Sequence, residues 1–270
     1  GSLDTDLIES MIEQMVNIID SHPSLAGLKR QIAALTPSAW AEGRSRVSFG
    51  LDPLDGRLEG GLARGAVHEV LPRAEGDWAS ASAFALIVAR RAAENSGKIL
   101  WLSSDAQRRR YGTPYGPGLA ELGVDPDQII LVYAPDDLAC LKAAADSLAC
   151  TGLAALILDM GATQRLDLTA SRRLALAAER SGVTALLLRP PASILASAAA
   201  SRWQVAAAPS APLPGNAPGR LTLSIALLRH RGGATPFDMV VEWNNEYKRV
   251  CEPTLLRDLP TPSQRRHMVA

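Results

Sequence analysis

Three short runs, Ile99–Ser103, Ala154–Asp159 and Thr184–Leu188, are almost wholly apolar and are separated by stretches with helical spacing. A strand that is apolar at nearly every position has to be covered on both faces. That requirement points to buried parallel strands with helices on either side of one sheet. The alternation extends both ways. Ala66–Leu71 reads as a strand leading into a loop from Pro72 and a helix over Trp78–Glu94. Ile129–Tyr133 is a further strand, and Asp136–Cys150 and Leu168–Arg180 are helices. After Pro190 the helices stop, and Arg202–Ala207, Arg220–Leu228 and Phe237–Trp243 follow as strands joined by loops, which predicts an antiparallel edge. The expected class is α/β, with a mostly parallel central sheet flanked by helices and antiparallel strands at the C-terminal edge.

Before this body, Leu7, Ile8, Met11, Ile12, Met15, Ile18 and Ile19 form one apolar stripe at helical spacing, predicting a helical arm and linker over 1–46. The core is expected over 47–243. The segment 244–270 has weak periodicity and is expected to be a partly disordered tail.

Composition excludes several classes. The 270 residues carry 28 basic and 28 acidic side chains, so a polyanion binder driven by net charge is ruled out and any nucleic-acid contact has to come from a local patch. Three cysteines without a CxxC pair make a disulfide framework or zinc site unexpected and fit a reducing cytoplasm. The four histidines show no metal spacing, and no metal or cofactor is expected. The longest apolar stretch, Ala79–Ala89, is too short for a membrane span.

In such a sheet, the turn after Ala66–Leu71 is where phosphate would bind. A working P-loop, GxxxxGK[ST], exposes backbone amides, puts a lysine on the β- and γ-phosphates and a hydroxyl on magnesium. Here the stretch is Leu71-Pro72-Arg73-Ala74-Glu75-Gly76-Asp77-Trp78. Only Gly76 remains, the lysine is absent, and Glu75 and Asp77 would repel a triphosphate. Asp77 and Glu75 read better as partners of a helix N-terminus. Asp159 ends an apolar strand as a magnesium-holding carboxylate does, and Asp105 follows the neighbouring strand where an acid would activate water. Gly76, Asp77, Asp105 and Asp159 together are therefore a degenerate nucleotide site, expected to be inactive, with no catalytic residue. His68, inside a strand, is expected to be a satisfied core histidine. Candidates for a partner or DNA interface are Arg172, Arg173, Arg189, Arg202, Arg229 and Arg231, the arm residues Leu7, Met11 and Met15, and Lys248 and Arg249 in the tail.

The ordered set of segments resembles the RecA core. Phe49-Gly50-Leu51-Asp52-Pro53-Leu54-Asp55, then Gly60-Gly61-Leu62-Ala63-Arg64-Gly65-Ala66-Val67-His68-Glu69, is similar to the stretch leading into that fold's P-loop strand. Leu119–Asp125, Arg202–Val205 and Leu227–Phe237 extend the likeness across residues 47 to 243. Within that superfamily the chain is identified as a member of the ImuA family. The phrases Gly65–Val70, Tyr115–Leu119, Leu166–Leu174, Val183–Pro190 and Leu228–Gly233 carry this.

The resemblance implies a non-catalytic accessory protein of SOS-induced translesion DNA synthesis. Its direct partner would be ImuB, a Y-family-like protein, with the error-prone polymerase DnaE2 nearby. It also implies that Arg189–Ala200 replaces the second DNA-binding loop. Arg229 and Arg231 would fall on the basic residues that reach a neighbouring subunit's ATP, which implies docking on one end of a RecA filament; single-stranded DNA is the other partner expected. Two alternatives are an ssDNA-dependent ATPase with a degenerate P-loop and a SulA-like cell-division inhibitor.

Overall fold

A computed structural model describes residues 45–94, 97–161, 165–191, 196–213, 215 and 217–254. The expected arm, with Leu7, Met11 and Met15, lies outside the described residues. A small hairpin comes first: β1 (Arg46–Val47) pairs antiparallel with β2 (Leu62–Ala63) around the short helix α1 (Asp52–Arg57). Gly61, at φ +119°, makes the pairing possible, since a Cβ there would lie 2.2 Å from the Val47 carbonyl oxygen. Asp55 closes the connection by accepting from the amides of Phe49 (2.8 Å) and Gly50 (2.9 Å).

The main sheet has nine strands. They are β3 (Val67–Pro72), β4 (Lys98–Ser104), β5 (Ile129–Ala134), β6 (Leu153–Asp159), β7 (Thr184–Leu188), β8 (Ser201–Ala207), β9 (Thr222–His230), β10 (Phe237–Asn244) and β11 (Arg249–Cys251). Their order is β11-β10-β9-β8-β3-β7-β6-β4-β5. From β8 to β5 the strands are parallel, and β9, β10 and β11 continue antiparallel. The apolar runs behave as their composition requires. Ile157 and Leu186 enter a core beneath α2 (Trp78–Ala93), with Phe49, Phe84 and Trp203. Leu156, Leu158 and Leu187 point to the other face, packed under α5 (Asp137–Ser147) and α6 (Leu168–Ser181). Alternation along each strand supplies both layers.

Helix limits follow local chemistry. Asp136 and Asp167 cap α5 and α6 by accepting from the amides of Ala139 (2.8 Å) and Ala170 (2.7 Å), and Gly182, at φ +79°, ends α6. Two short helices, α3 (Asp105–Tyr111) and α4 (Gly116–Glu121), follow β4.

The sheet runs past the boundary expected at 243. β10 includes Asn244, whose side chain accepts from the amides of Glu246 and Tyr247, both at 2.9 Å, and so turns the chain back into β11. Buried Glu242 then accepts from the Thr254 amide at 3.0 Å. Residues 244–254 are thus part of the fold rather than a loose tail. Three polar-flanked residues are too few for a strand pattern to register.

Candidate functional site

The loop joining β3 to α2 turns inward. Glu75–Asp77 form a single 3₁₀ turn, and the Asp77 carboxylate accepts from the amide of Ala74 (3.1 Å) and from that of Ala207 on β8 (3.0 Å). The Arg73 amide donates to the Val205 carbonyl (2.8 Å). The loop amides of Arg73, Ala74, Asp77 and Trp78 are therefore held by the protein itself. Glu75 pairs with Arg110. Gly76 is not required as a glycine, since nothing lies within 4 Å of where its Cβ would be. Trp78 opens α2 directly after this loop, and it stacks on Tyr111 with ring centroids 4.4 Å apart and planes 3° from parallel.

Asp159 is buried at the end of β6. It accepts from Ser103 Oγ (3.1 Å) and Gln107 Nε2 (3.2 Å), donors that partly offset the burial that pushes its carboxyl pKa up. Asp105, at the start of α3, faces Arg108 at 3.4 Å. Beside α2 a cavity of about 360 Å³ is walled by Trp78, Trp101, Tyr111, Tyr115 and Leu119, with Asp159 at one side. Gly76 and Asp77 follow β3, Asp105 follows β4 and Asp159 ends β6, each at the C-terminal end of a parallel strand, and the sequence pattern carried no signal for the Trp78–Tyr111 stack. Among the described residues, no group of three or more His, Cys, Asp or Glu is placed to hold a metal, and no helix is long and apolar enough to cross a membrane.

The basic candidates separate sharply. Arg189 and Arg202, expected at an interface, lie inside the molecule. Glu69, 0% exposed on β3, accepts from Arg189 Nη1 and Arg202 Nε, each at 2.6 Å. Arg189 is 3% exposed. A carboxylate in a strand covered on both faces demands such partners, and that acid was the available clue. Arg229 stands opposite Arg202 in the β8–β9 register. Its Nη2 donates to the carbonyls of Ser197 (3.3 Å) and Ala199 (2.9 Å), and burial lowers its pKa. Arg231 is exposed and donates to the Ala198 carbonyl at 3.4 Å. The Ala198 amide in turn donates to Ser171 Oγ (3.1 Å), so the stretch Ser197–Ala199 is pinned over the sheet. Arg172 and Arg173 are exposed on α6. Lys248 Nζ reaches the Ala120 carbonyl (3.4 Å), and Arg249 lies over the Tyr247 ring, 5.4 Å from its centroid.

His68 is a core histidine. Its Nε2 faces the Ala63 carbonyl (3.0 Å), so the network assigns the proton there, and Nδ1 accepts from Ser201 Oγ (2.7 Å). Trp203 Nε1 donates to the same Ser201 oxygen at 2.8 Å. Burial pushes the imidazole down from 6.5 to about 4.

No family model matches the sequence. The protein named ImuA from Caulobacter vibrioides is 34% identical over 204 residues, covering 69% of this chain and 79% of that protein, and the same figures hold for its counterpart in a second strain. Among solved structures, that of the RadB recombinase matches with a TM-score of 0.53 at 13% identity, covering 77% of this chain and all of that one. The fold is RecA-like.

Proposed function

The chain belongs to the ImuA family, and from that premise we propose that it is an accessory protein of translesion DNA synthesis that binds no nucleotide. One observation carries the second half of this reading. The position after Gly76, where a P-loop carries its lysine, is Asp77, both of whose oxygens are held by backbone amides, and Trp78 stacks on Tyr111 beside it. A triphosphate entering there would meet Glu75 and Asp77 without a lysine to offset them. The family resemblance supports ImuB as the direct partner, with DnaE2 in the same assembly.

The test is a titration with a fluorescent Mg·ATP analogue, with and without single-stranded DNA. No saturable binding up to millimolar nucleotide is expected. Saturable binding with DNA-stimulated turnover would replace the adaptor reading by the ATPase reading and make Asp105 and Asp159 the residues to mutate.

A contact with RecA filaments would rest on exposed Arg231 more than on Arg229, whose guanidinium holds the Ser197–Ala199 stretch. Arg231→Glu is expected to reduce co-sedimentation with RecA–ATP–ssDNA filaments. Unchanged co-sedimentation removes this contact.

A further inference from the structure

A second cleft lies at the far end of α2. It encloses about 400 Å³ and gathers five cations, Arg46, Arg64, Arg90, Arg91 and Lys248, against a single lining carboxylate, Glu94. The cations come from β1, the turn after β2, the last turn of α2 and the β10–β11 turn. Arg90, the first residue of α2 to line it, is twelve residues beyond Trp78, which at 1.5 Å per residue is about 18 Å along the helix. It is therefore separate from the degenerate nucleotide site.

Two of these cations have ordinary structural duties that leave most of the guanidinium available. Arg90 Nε donates to the Gly123 carbonyl (2.8 Å) and Arg91 Nε to the Ser48 carbonyl (2.7 Å). Their terminal nitrogens have no hydrogen-bond partner among the described residues. Arg64 is satisfied, by the Ala92 carbonyl (2.6 Å) and Glu94 (2.7 Å). Lys248 and Arg90 crowd together over Gly123, where an added Cβ would lie 2.8 Å from the lysine chain and 2.9 Å from Arg90 Nε. Capping the end of α2 explains cations near its C-terminus; Arg46 faces Glu59 at 3.6 Å and Lys248 Nζ reaches the Ala120 and Glu121 carbonyls (3.4 and 3.5 Å), yet all of them line this one cleft. Beside them Tyr247 is 63% exposed, with Arg249 against its ring.

We infer that this cleft binds the phosphate backbone of single-stranded DNA, with Tyr247 as a stacking surface for a base. Unsatisfied guanidinium forks match phosphate oxygens. A cationic groove with an exposed aromatic is what an unpaired strand requires, because each base offers a ring face while the backbone follows the charge. An acidic protein surface would use the cations but leave Tyr247 idle. The inference does not rest on the accessory role, because it concerns a different end of the fold.

The experiment is fluorescence anisotropy of the full chain with a fluorescein-labelled oligothymidylate of about 20 nucleotides, followed from low to moderate salt. Replacing Arg90, Arg91 and Lys248 together by glutamine is expected to weaken binding at least about tenfold at low salt and to flatten the log–log salt slope by roughly 2, since each phosphate contact on a single strand contributes about 0.7. Tyr247→Ala, on the exposed turn, is expected to weaken binding with little change in slope, and it remains informative if the triple variant unfolds. Lys142→Gln, exposed on α5 at the other face of the sheet, serves as the distant control. Parent-like affinity in both cleft variants, with thermal melts unchanged, would overturn the proposal. So would capture of a poly-glutamate peptide that the cleft variants lose while their oligothymidylate binding stays intact.

Discussion

Replacing Glu69 by alanine is expected to lower the unfolding free energy by about 3–5 kcal/mol, because it leaves two guanidinium groups buried without their counter-charge. Arg189 and Arg202 each hold one Glu69 oxygen at 2.6 Å, and both residues are buried. That loss is a large share of an ordinary domain's stability. For a body of this size it corresponds to a melting temperature lower by roughly 6–20 °C. The cost belongs to the broken arrangement more than to the charges as such. Converting all three together, Glu69→Met, Arg189→Met and Arg202→Leu, is therefore expected to recover most of it, since well-packed apolar groups can replace a buried triad at little penalty. Thermal melts of the single and triple variants check this. A single variant that melts like the parent would mean that water reaches the triad. The arrangement also bears on function, because the Arg202 strand neighbours Arg229, which holds Ser197–Ala199 in place.

Acid is expected to destabilise the fold through His68. With both states neutral above the unfolded value of 6.5, the contribution is complete there. Between 6.5 and about 4 the unfolded chain takes up a proton that the folded one refuses, so stability falls with pH by about 1.4 kcal/mol per unit. Below about 4 both states are protonated and the loss levels off, at roughly 3 kcal/mol. The refusal has a structural cause. Protonation would place a second N–H against Ser201 Oγ, which already accepts from Trp203, while the ring is wholly buried. His230 and Arg46 add repulsion, each less than burial does. Asp159 works in the opposite sense, since a carboxyl with a raised pKa takes up its proton sooner in the folded state. The informative quantity is therefore a difference. His68→Gln keeps a donor for Ala63 and an acceptor for Ser201 without titrating. Denaturant unfolding of both proteins from neutral pH to about pH 4 should show the gap between them narrowing as pH falls. Parallel profiles would show that His68 is not held neutral.

How far these features are legible in the sequence depends on their range along the chain. The apolar runs Ile99–Ser103, Ala154–Asp159 and Thr184–Leu188 announced buried parallel strands because covering both faces of a strand is a local demand on composition. Asp136 and Asp167 cap their helices through an equally local interaction, since a cap acts over three residues. The missing P-loop lysine was equally plain. By contrast, the interface expected for Arg189 and Arg202 failed on pairings that span 120 and 133 residues. A run of arginine reads as surface until the fold shows which carboxylate it meets.

By itself, then, the sequence determined the α/β order of elements, the family and the absence of a P-loop lysine after Ala66–Leu71, all of which rest on short segments and their order along the chain. Only the tertiary structure decided that Trp78 stacks on Tyr111, that Glu69 draws two arginines inside, and that Arg90, Arg91 and Lys248 share one cleft. Stacking, ion pairing and hydrogen bonding act over a few ångströms of space. Residues far apart in the chain acquire those partners only once the sheet has brought their strands together.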